Sequence, residues 1–348
     1  MRRPQTITGL DIGSSKICAA QAEPDKDGSL RVLGFSSSPS KGIRRGSIVD
    51  LDEAVDSISK AMEALKDKTR KRPDNIWLSL SGKTVEAQES RGMVRLSLRG
   101  REITRRDITK CVDAAGTIKL PLHRDMVHRV VQAFYVDDDV EVKNPFGLYG
   151  SRLAAKVMTV TANASHVQNI QKAVSNSGYD PKEFIFSGLA DGAILLGPED
   201  RQKCVALLNI GSSLTELSVF ANGVLADVMI IPFGVEDISG APENDRNFIR
   251  ARSEIGKRIG RFQKEQEDCR EVVLTGGVTL VDGIFESLEK ELNLPVRTGS
   301  VKSISGNIST YEKVMATTCL GLIKYAFEQY DAGAPAKGAG LISASLSR

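Results

Sequence analysis

No apolar run in this chain approaches the roughly 18 residues that a membrane-spanning helix needs, and no two cysteines are spaced C-x-x-C. The five cysteines, Cys18, Cys111, Cys204, Cys269 and Cys319, are scattered. Four of them sit inside apolar or helical runs, which reads as buried thiols in a reducing compartment rather than bridges or metal ligands. Histidine is scarce too, with three dispersed residues, and this argues against a histidine-built zinc or acid–base centre. An excess of one charge is also missing. Against 47 basic residues stand 44 acidic ones, a net charge of +3, so nothing points to a nucleic-acid partner. The densest basic tract, "KDKTRKR" at 66–72, reads as the solvated end of a helix before Pro73. The opening "MRRPQTITGLDIG" turns directly into a strand, without the pattern of a signal peptide, and the expected location is cytoplasmic.

What is present suits a globular α/β protein. At 348 residues and 41% hydrophobic content the chain has room for two or three domains and a full core. "TITGLDIG" and "KICAAQAE" read as two buried strands joined by a hairpin at Gly13-Ser14-Ser15, and "RVLGFSSS" as a third strand. "DLDEAVDSISKAMEALKDK" places Leu51, Ala54, Val55, Ile58, Met62 and Leu65 on one helical face, with Asp50 as its cap. "NIWLSLSG" follows as a strand. Residues 83–162 change character: extended stretches, a helix with Thr104 and Asp107 in capping-box spacing, and two long strands predict a small α+β insert. Its acidic run Asp137-Asp138-Asp139 reads as a solvated turn, because consecutive acids at a strand end point to opposite faces.

After a helix ending near Gly178, strand "EFIFS" and helix "GLADGAILLG", the strand triplet returns as "CVALLNIG", "TELSVFANG" and "VLADVMIIPFG". A long helix with Phe248, Ile255, Ile259 and Phe262 in register comes next, then strand, Gly-Gly turn and helix in "EVVLTGGVTLVDGIFESLEKEL". "YEKVMATTCLGLIKYAFEQY" predicts one last buried helix, and the small-residue tail 331–348 a disordered end.

Two stretches, "GLDIGSSKICAAQA" and "LLNIGSSLTELSVF", write the same loop twice. A Gly-Ser-Ser turn between buried strands offers N–H groups and hydroxyls to an anionic oxygen. Two copies, each opening a strand triplet, predict two similar halves closing on a phosphate chain across a cleft. In the first loop Asp11 is the candidate to hold Mg²⁺ through water, Gly13, Ser14 and Ser15 to cradle phosphate, and Lys16 to neutralise it. In the second loop the corresponding set is Asn209, Gly211, Ser212, Ser213 and Thr215. "LTGGV" adds Gly276, Gly277 and Val278, where backbone can approach a ribose or phosphate. The plain alternatives stay open: Gly13, Gly211, Gly276 and Gly277 as turn glycines serving positive φ alone, Asn209 as a capping amide, Lys16 as a solvated turn lysine.

These segments, "GLDIGSSK", "NIGSSLTELSVF" and "VVLTGGVTLVDGI", resemble the phosphate-1, phosphate-2 and adenosine motifs of the actin, sugar-kinase and heat-shock-chaperone ATPase fold. "GFSSSPSKGIRRGSIVDLDEAVDSI", "WLSLSGKTVEAQESRGMV", "KNPFGLYGSRLAAKVMTVTA" and "EFIFSGLADG" narrow the likeness to the FtsA family of bacterial actin-like cell division proteins, over about residues 5–330. The resemblance implies an α/β, ribonuclease H-like duplicated fold. Residues 1–82 and 163–198 would form the first half, 83–162 the family's insert subdomain, and 199–330 the second half. It implies ATP and Mg²⁺ as ligands, FtsZ and other divisome proteins as partners, self-association into filaments, and a place at the inner face of the membrane at the division site. Three departures qualify it. Asn209, Ser212, Ser213, Leu214 and Glu216 stand where the family writes Asp-Ile-Gly-Gly-Gly-Thr-x-Asp, and a neutral amide cannot anchor a hydrated cation or act as a base. Only a remnant, 233–247, stands where the family carries a fourth subdomain that walls the adenine and docks the FtsZ tail. The end "GLISASLSR" lacks the aromatic, cationic character of the family's membrane helix. The implied ATP site is therefore degenerate, with weak hydrolysis at most. Alternatives are a PilM-type pilus-assembly scaffold and an ATP-dependent phosphotransferase or ATPase of the same fold.

Overall fold

Strands β1 (Ile7–Ile12), β2 (Lys16–Pro24) and β3 (Leu30–Pro39) form an antiparallel meander in which Ile12 pairs with Ile17. That register leaves Gly13–Ser15 as the connecting loop. The computed structural model describes residues 6–25, 29–116, 120–137, 140–265, 269–301 and 304–331. A two-rung hairpin, β4 (Ile43–Arg44) and β5 (Ser47–Ile48), leads into helix α1 (Leu51–Thr69). The Asp50 carboxylate accepts the Glu53 N–H at 3.0 Å, and Ala54, Ile58, Met62 and Leu65 are buried on the face that meets β2 and β3. Helix start and apolar stripe both follow the sequence expectation. Strand β6 (Ile76–Leu80) then runs parallel to β1.

The chain next builds the insert: β7 (Glu86–Arg95), β8 (Arg101–Glu102), α2 (Arg105–Gly116), β9 (Arg124–Val136), β10 (Val140–Val142), β11 (Tyr149–Gly150) and β12 (Arg152–Asn163). Its sheet has the order β10-β9-β12-β7, and α2 packs on β7 and β12 over a core of its own around Ile103, Ile108, Cys111, Phe134, Leu153 and Val157. The predicted capping box is present, with Thr104 N–H donating to Asp107 at 3.0 Å and Asp107 N–H returning to Thr104 Oγ1 at 3.3 Å. Asp137 sits at φ 53° and its Oδ1 accepts the N–H groups of Ser151 and Arg152, so the predicted turn begins there, while Asp138 and Asp139 lie outside the described residues. The insert is pinned to the first half by His128, whose Nε2 accepts the Phe186 N–H at 3.0 Å. Burial lowers the imidazole pKa to about 4, so the ring is neutral and able to accept.

Helix α3 (Ala164–Asn176), strand β13 (Pro181–Phe186), parallel to β6, and helix α4 (Ser187–Leu195) complete the first unit. The second repeats it: β14 (Cys204–Ile210), β15 (Thr215–Ala221), β16 (Val224–Ile231), α5 (Arg246–Glu265), β17 (Cys269–Thr275), α6 (Ile284–Leu292) and β18 (Val296–Thr298). The two sheets share one order. The first reads β13-β6-β1-β2-β3 and the second β18-β17-β14-β15-β16, each an antiparallel meander extended by parallel strands. The doubled sequence pattern is thus a doubled fold. All five cysteines are buried.

The end of the chain departs from expectation. Strand β19 (Ile304–Gly306) joins the first sheet beside β3, and helices α7 (Thr310–Met315) and α8 (Thr317–Asp331) replace the single predicted helix. The break falls at Ala316, where the Thr317 hydroxyl bonds the carbonyls of Lys313 and Val314 at 3.2 and 2.9 Å and competes with the helical ladder. Helix α8 packs on α4, β1 and β2, so the chain leaves the second half near residue 304 and not at 330. The physical reason is that most of α8 is apolar (Cys319, Leu320, Leu322, Ile323 and Phe327 are buried) and needs cover on all but the side that carries Lys324 and Glu328. The expected disordered tail lies, but for Asp331, outside the described residues.

Candidate functional site

The two Gly-Ser-Ser hairpins meet across a cleft of about 350 Å³. It brings together Asp11, Gly13, Ser14, Ser15 and Lys16 from the first loop with Asn209, Gly211, Ser212 and Ser213 from the second, and Gly276 and Gly277 from the turn after β17. Two predicted residues face elsewhere. The Val278 side chain is fully buried in the second half's core. Thr215 is likewise buried, and its hydroxyl donates to the Phe233 carbonyl at 2.9 Å. Each hairpin is closed by its glycine, Gly13 N–H to Lys16 O at 3.1 Å and Gly211 N–H to Leu214 O at 2.9 Å. Positive φ is not what these two glycines supply; of the four, only Gly276 has it, at 91°.

The floor of the cleft is acidic. Asp11 Oδ1 accepts the Ser79 hydroxyl at 2.6 Å, and burial raises its pKa despite that bond and the nearby Lys16. Glu216, on β15, accepts the hydroxyls of Ser81 and Ser187 and so ties β15 to the ends of β6 and β13. Burial lifts its carboxyl to about 7, with the Asp11 charge adding to the effect. Beneath lies Asp191, wholly buried on α4, which accepts Asn209 Nδ2 at 2.7 Å and Thr318 Oγ1 at 2.9 Å. Burial first, then the charge of Glu216, pushes its pKa to about 8. Asn209 is therefore more than a lost acid. An aspartate there would set two carboxylates against each other, whereas the amide supplies the donor that Asp191 needs. The ammonium of Lys16 lies 2.9 Å from the Met315 sulfur at the end of α7.

The short connection 233–247 folds onto the second loop. Val235 N–H donates to Gly211 O and Glu236 N–H to Ser212 O, both at 2.9 Å. Arg45, on the β4–β5 turn, reaches Asp237 across the cleft mouth at 3.7 Å. Asp191, Ser79, Ser187 and Thr318 were not singled out from sequence, and Glu216 only as a departure. One signal was there: Asp191 is the sole ionisable residue of "SGLADGAIL", a helix buried throughout, and an acid in such a helix needs a partner or a function.

Two halves of identical strand order, closed on a cleft walled by their paired hairpins, define a protein of the actin-like ATPase fold. A solved structure from the PilM–PilN type IV pilus biogenesis complex shares that fold with a TM-score of 0.69 over 93% of this chain and 99% of that one, at 14% identity. A family model described as the SHS2 domain inserted in FtsA matches residues 82–161, the insert. Curated proteins named Cell division protein FtsA are similar along nearly the whole chain. That of Borreliella burgdorferi is 27% identical, covering 93% of this chain and 91% of its own. That of Escherichia coli K12 is 26% identical with the same coverage. The chain is thus similar to FtsA over nearly its whole length, and its insert matches the domain that FtsA carries.

Proposed function

We propose that this chain works in cell division as a cytoplasmic actin-like scaffold, acting with divisome proteins that include FtsZ at the inner face of the membrane, and that its cleft takes ATP with Mg²⁺ but turns it over slowly at most. The observation that supports the division role is the family-specific insert, seated between β6 and α3 within a chain that is FtsA-like over 93% of its length. A phosphate chain is supported by the loops themselves. Ser213 Oγ lines the cleft buried and without a hydrogen-bond partner, and Lys16 lines the same cleft beside Asp11. Among the described residues no three acids, cysteines or histidines sit close enough to bind a metal directly. A magnesium ion that keeps most of its waters fits that arrangement. Asp11 would hold the hydrated ion, Lys16 and the serines the phosphates, and the Gly276–Gly277 turn the adenosine side. Bound magnesium would neutralise charge on the phosphates.

Slow turnover follows from the remaining groups. Asn209 has no basic lone pair to offer water, and the Glu216 carboxylate is occupied by two serine hydroxyls. Titration of the full chain with ATP–Mg²⁺, followed by a turnover assay, tests this reading. The expected result is saturable binding abolished by Lys16→Ala and Asp11→Ala with little phosphate release. Steady hydrolysis would overturn the slow-turnover part, and no binding would overturn the nucleotide part. The FtsZ partnership is tested by pull-down with the FtsZ tail. Because the 233–247 connection is packed on the phosphate-2 loop, changes confined to residues 234–245 are expected to leave capture intact. Capture lost through them would place the contact on that connection. Self-association into head-to-tail filaments is read by sedimentation with and without ATP.

A further inference from the structure

The insert exposes a cluster of large apolar side chains that neither the cleft nor the core uses. Leu98 is 98% exposed, Tyr149 75%, Phe146 46% and Leu148 42%. They share one surface. Tyr149 pairs with Glu102 in the β8–β11 ribbon, Ile103 N–H donates to Leu148 O at 2.8 Å, and Leu96 N–H donates to Ser151 O at 2.8 Å, which lays the turn at 96–100 beside the loop at 144–149. The loops are built rather than slack. Asn144 Oδ1 accepts the Phe146 N–H at 3.0 Å, and Gly147 N–H donates to Ile103 O at 3.0 Å. Structured backbone thus presents apolar side chains to solvent, a pattern that marks an interaction surface rather than leftover chain.

The same surface is cationic. Arg95, Arg99, Arg105 and Arg106 are exposed, and among the described residues none of them makes an ion pair. The Arg105 guanidinium stands 5.2 Å over the Phe146 ring, so charge and aromatic form one unit. Arg101, by contrast, is engaged by the capping acid Asp107 at 2.6 Å. The exposed acids nearest this face are Glu102, Asp137 and Glu141, while Glu86 and Glu89 farther along β7 are ion-paired with Arg124 and Lys156. We propose that this face of the insert docks on an anionic lipid bilayer, with Leu98 and Tyr149 entering the boundary between headgroups and acyl chains and the arginines on lipid phosphates. A side chain as exposed as Leu98 stands on a convex tip, which suits insertion into a surface. An extended peptide would pair along an open strand edge such as β7, so an acidic peptide is kept as an outcome of the test. Tyrosine favours the headgroup level, guanidinium groups bind phosphate bidentately, and arginines near an anionic leaflet are attracted to it.

The test is co-sedimentation of the full chain with vesicles of phosphatidylcholine alone or mixed with phosphatidylglycerol. Binding is expected to the mixed vesicles only, to weaken with salt, and to fall at least roughly tenfold in Arg99→Glu/Arg106→Glu. A comparable loss is expected in Leu98→Asp/Tyr149→Asp. Both double variants alter exposed side chains, so unchanged thermal unfolding is expected and serves as the folding control. The proposal is overturned if the native chain ignores the mixed vesicles, binds neutral ones equally, or binds through both double variants unimpaired. It is also overturned if soluble poly-glutamate is bound in place of vesicles, or if the apolar variant only abolishes self-association in sedimentation velocity, which would give the face to a second copy. Retained FtsZ capture alongside a failed vesicle result would remove this surface alone and leave the division role standing.

Discussion

Asn209 donates its side-chain N–H to Asp191 at 2.7 Å, and the other oxygen of that carboxylate accepts Thr318 at 2.9 Å. One buried acid therefore holds the second hairpin, helix α4 and the start of helix α8 together. Restoring the acid of the first loop by Asn209→Asp is expected to harm this chain. The change removes a donor from a buried acceptor, worth about 1–3 kcal/mol, and adds a like charge. Thermal unfolding should show a lowered midpoint, with the deficit larger at about pH 8.5 than at about pH 6, where Asp191 carries its proton. An unchanged midpoint at both would mean that the amide–carboxylate bond contributes nothing.

The raised pKa values of Glu216 and Asp191, about 7 and about 8, set the sign of a pH effect. The folded protein retains protons that the unfolded chain releases. Their contribution to stability is complete below the ordinary carboxylate range and is lost as pH rises through those values. His128 acts in the opposite sense. Its pKa is lowered to about 4, so its contribution is lost as pH falls from the usual histidine value toward that one. Above about pH 6.5, the ordinary histidine value, only the carboxylates remain. Stability is expected to decline up to about pH 8, with a limiting slope of about 1.4 kcal/mol per pH unit for each proton, and to level off above it. Asp191→Asn should flatten the decline, as measured by urea unfolding across the range. A native chain equally stable at about pH 6 and about pH 9 would contradict it.

The cleft's residue list was half legible in the sequence, and the reason is distance along the chain. Hairpins are local. The turn between "LDI" and "KIC" is announced by its neighbours, as are the Asp50 cap and the Thr104–Asp107 box. Asp191 meets Thr318 across 127 positions, and nothing in "GLADG" points there. The return of α8 to the first sheet was hidden for the same reason, since a largely apolar helix declares that it is buried and is silent about where. The glycines were legible as turn residues, but the positive-φ alternative holds only for Gly276 and not for Gly13, Gly211 or Gly277.

That distinction can be measured. A methyl group on Gly211 would meet Leu214 O at 3.4 Å, whereas on Gly276 it would lie 2.4 Å from Ile210 O, at a φ of 91° that L-residues avoid. Gly211→Ala is expected to cost under about 1 kcal/mol and Gly276→Ala about 2–4 kcal/mol. Because Gly276 also abuts the Asn209 side chain, with a methyl 2.5 Å from Oδ1, the second change should shift the hairpin and weaken any nucleotide binding. Equal midpoints for the two variants in chemical unfolding would refute the assignment of separate causes.

The deepest consequence of the returning helix concerns Gly321. A Cβ there would fall 2.2 Å from Ala190 O and 2.5 Å from its carbonyl carbon, backbone atoms that cannot step aside. Helices α4 and α8 are in contact at this point, one residue from Asp191. Gly321→Ala should therefore push the helices apart, costing about 2–4 kcal/mol as an overpacked site that cannot relax locally, although alanine is the better helix former by about 1 kcal/mol. The displacement should also lengthen the Thr318–Asp191 bond and expose the acid to water, returning its pKa toward the ordinary range. The expected signature is a lower unfolding midpoint together with a shallower decline of stability above about pH 6.5. A stabilised variant would show that helix propensity outweighs packing at this crossing. A destabilised one with the full pH slope would show that Asp191 stays sealed when the helices part.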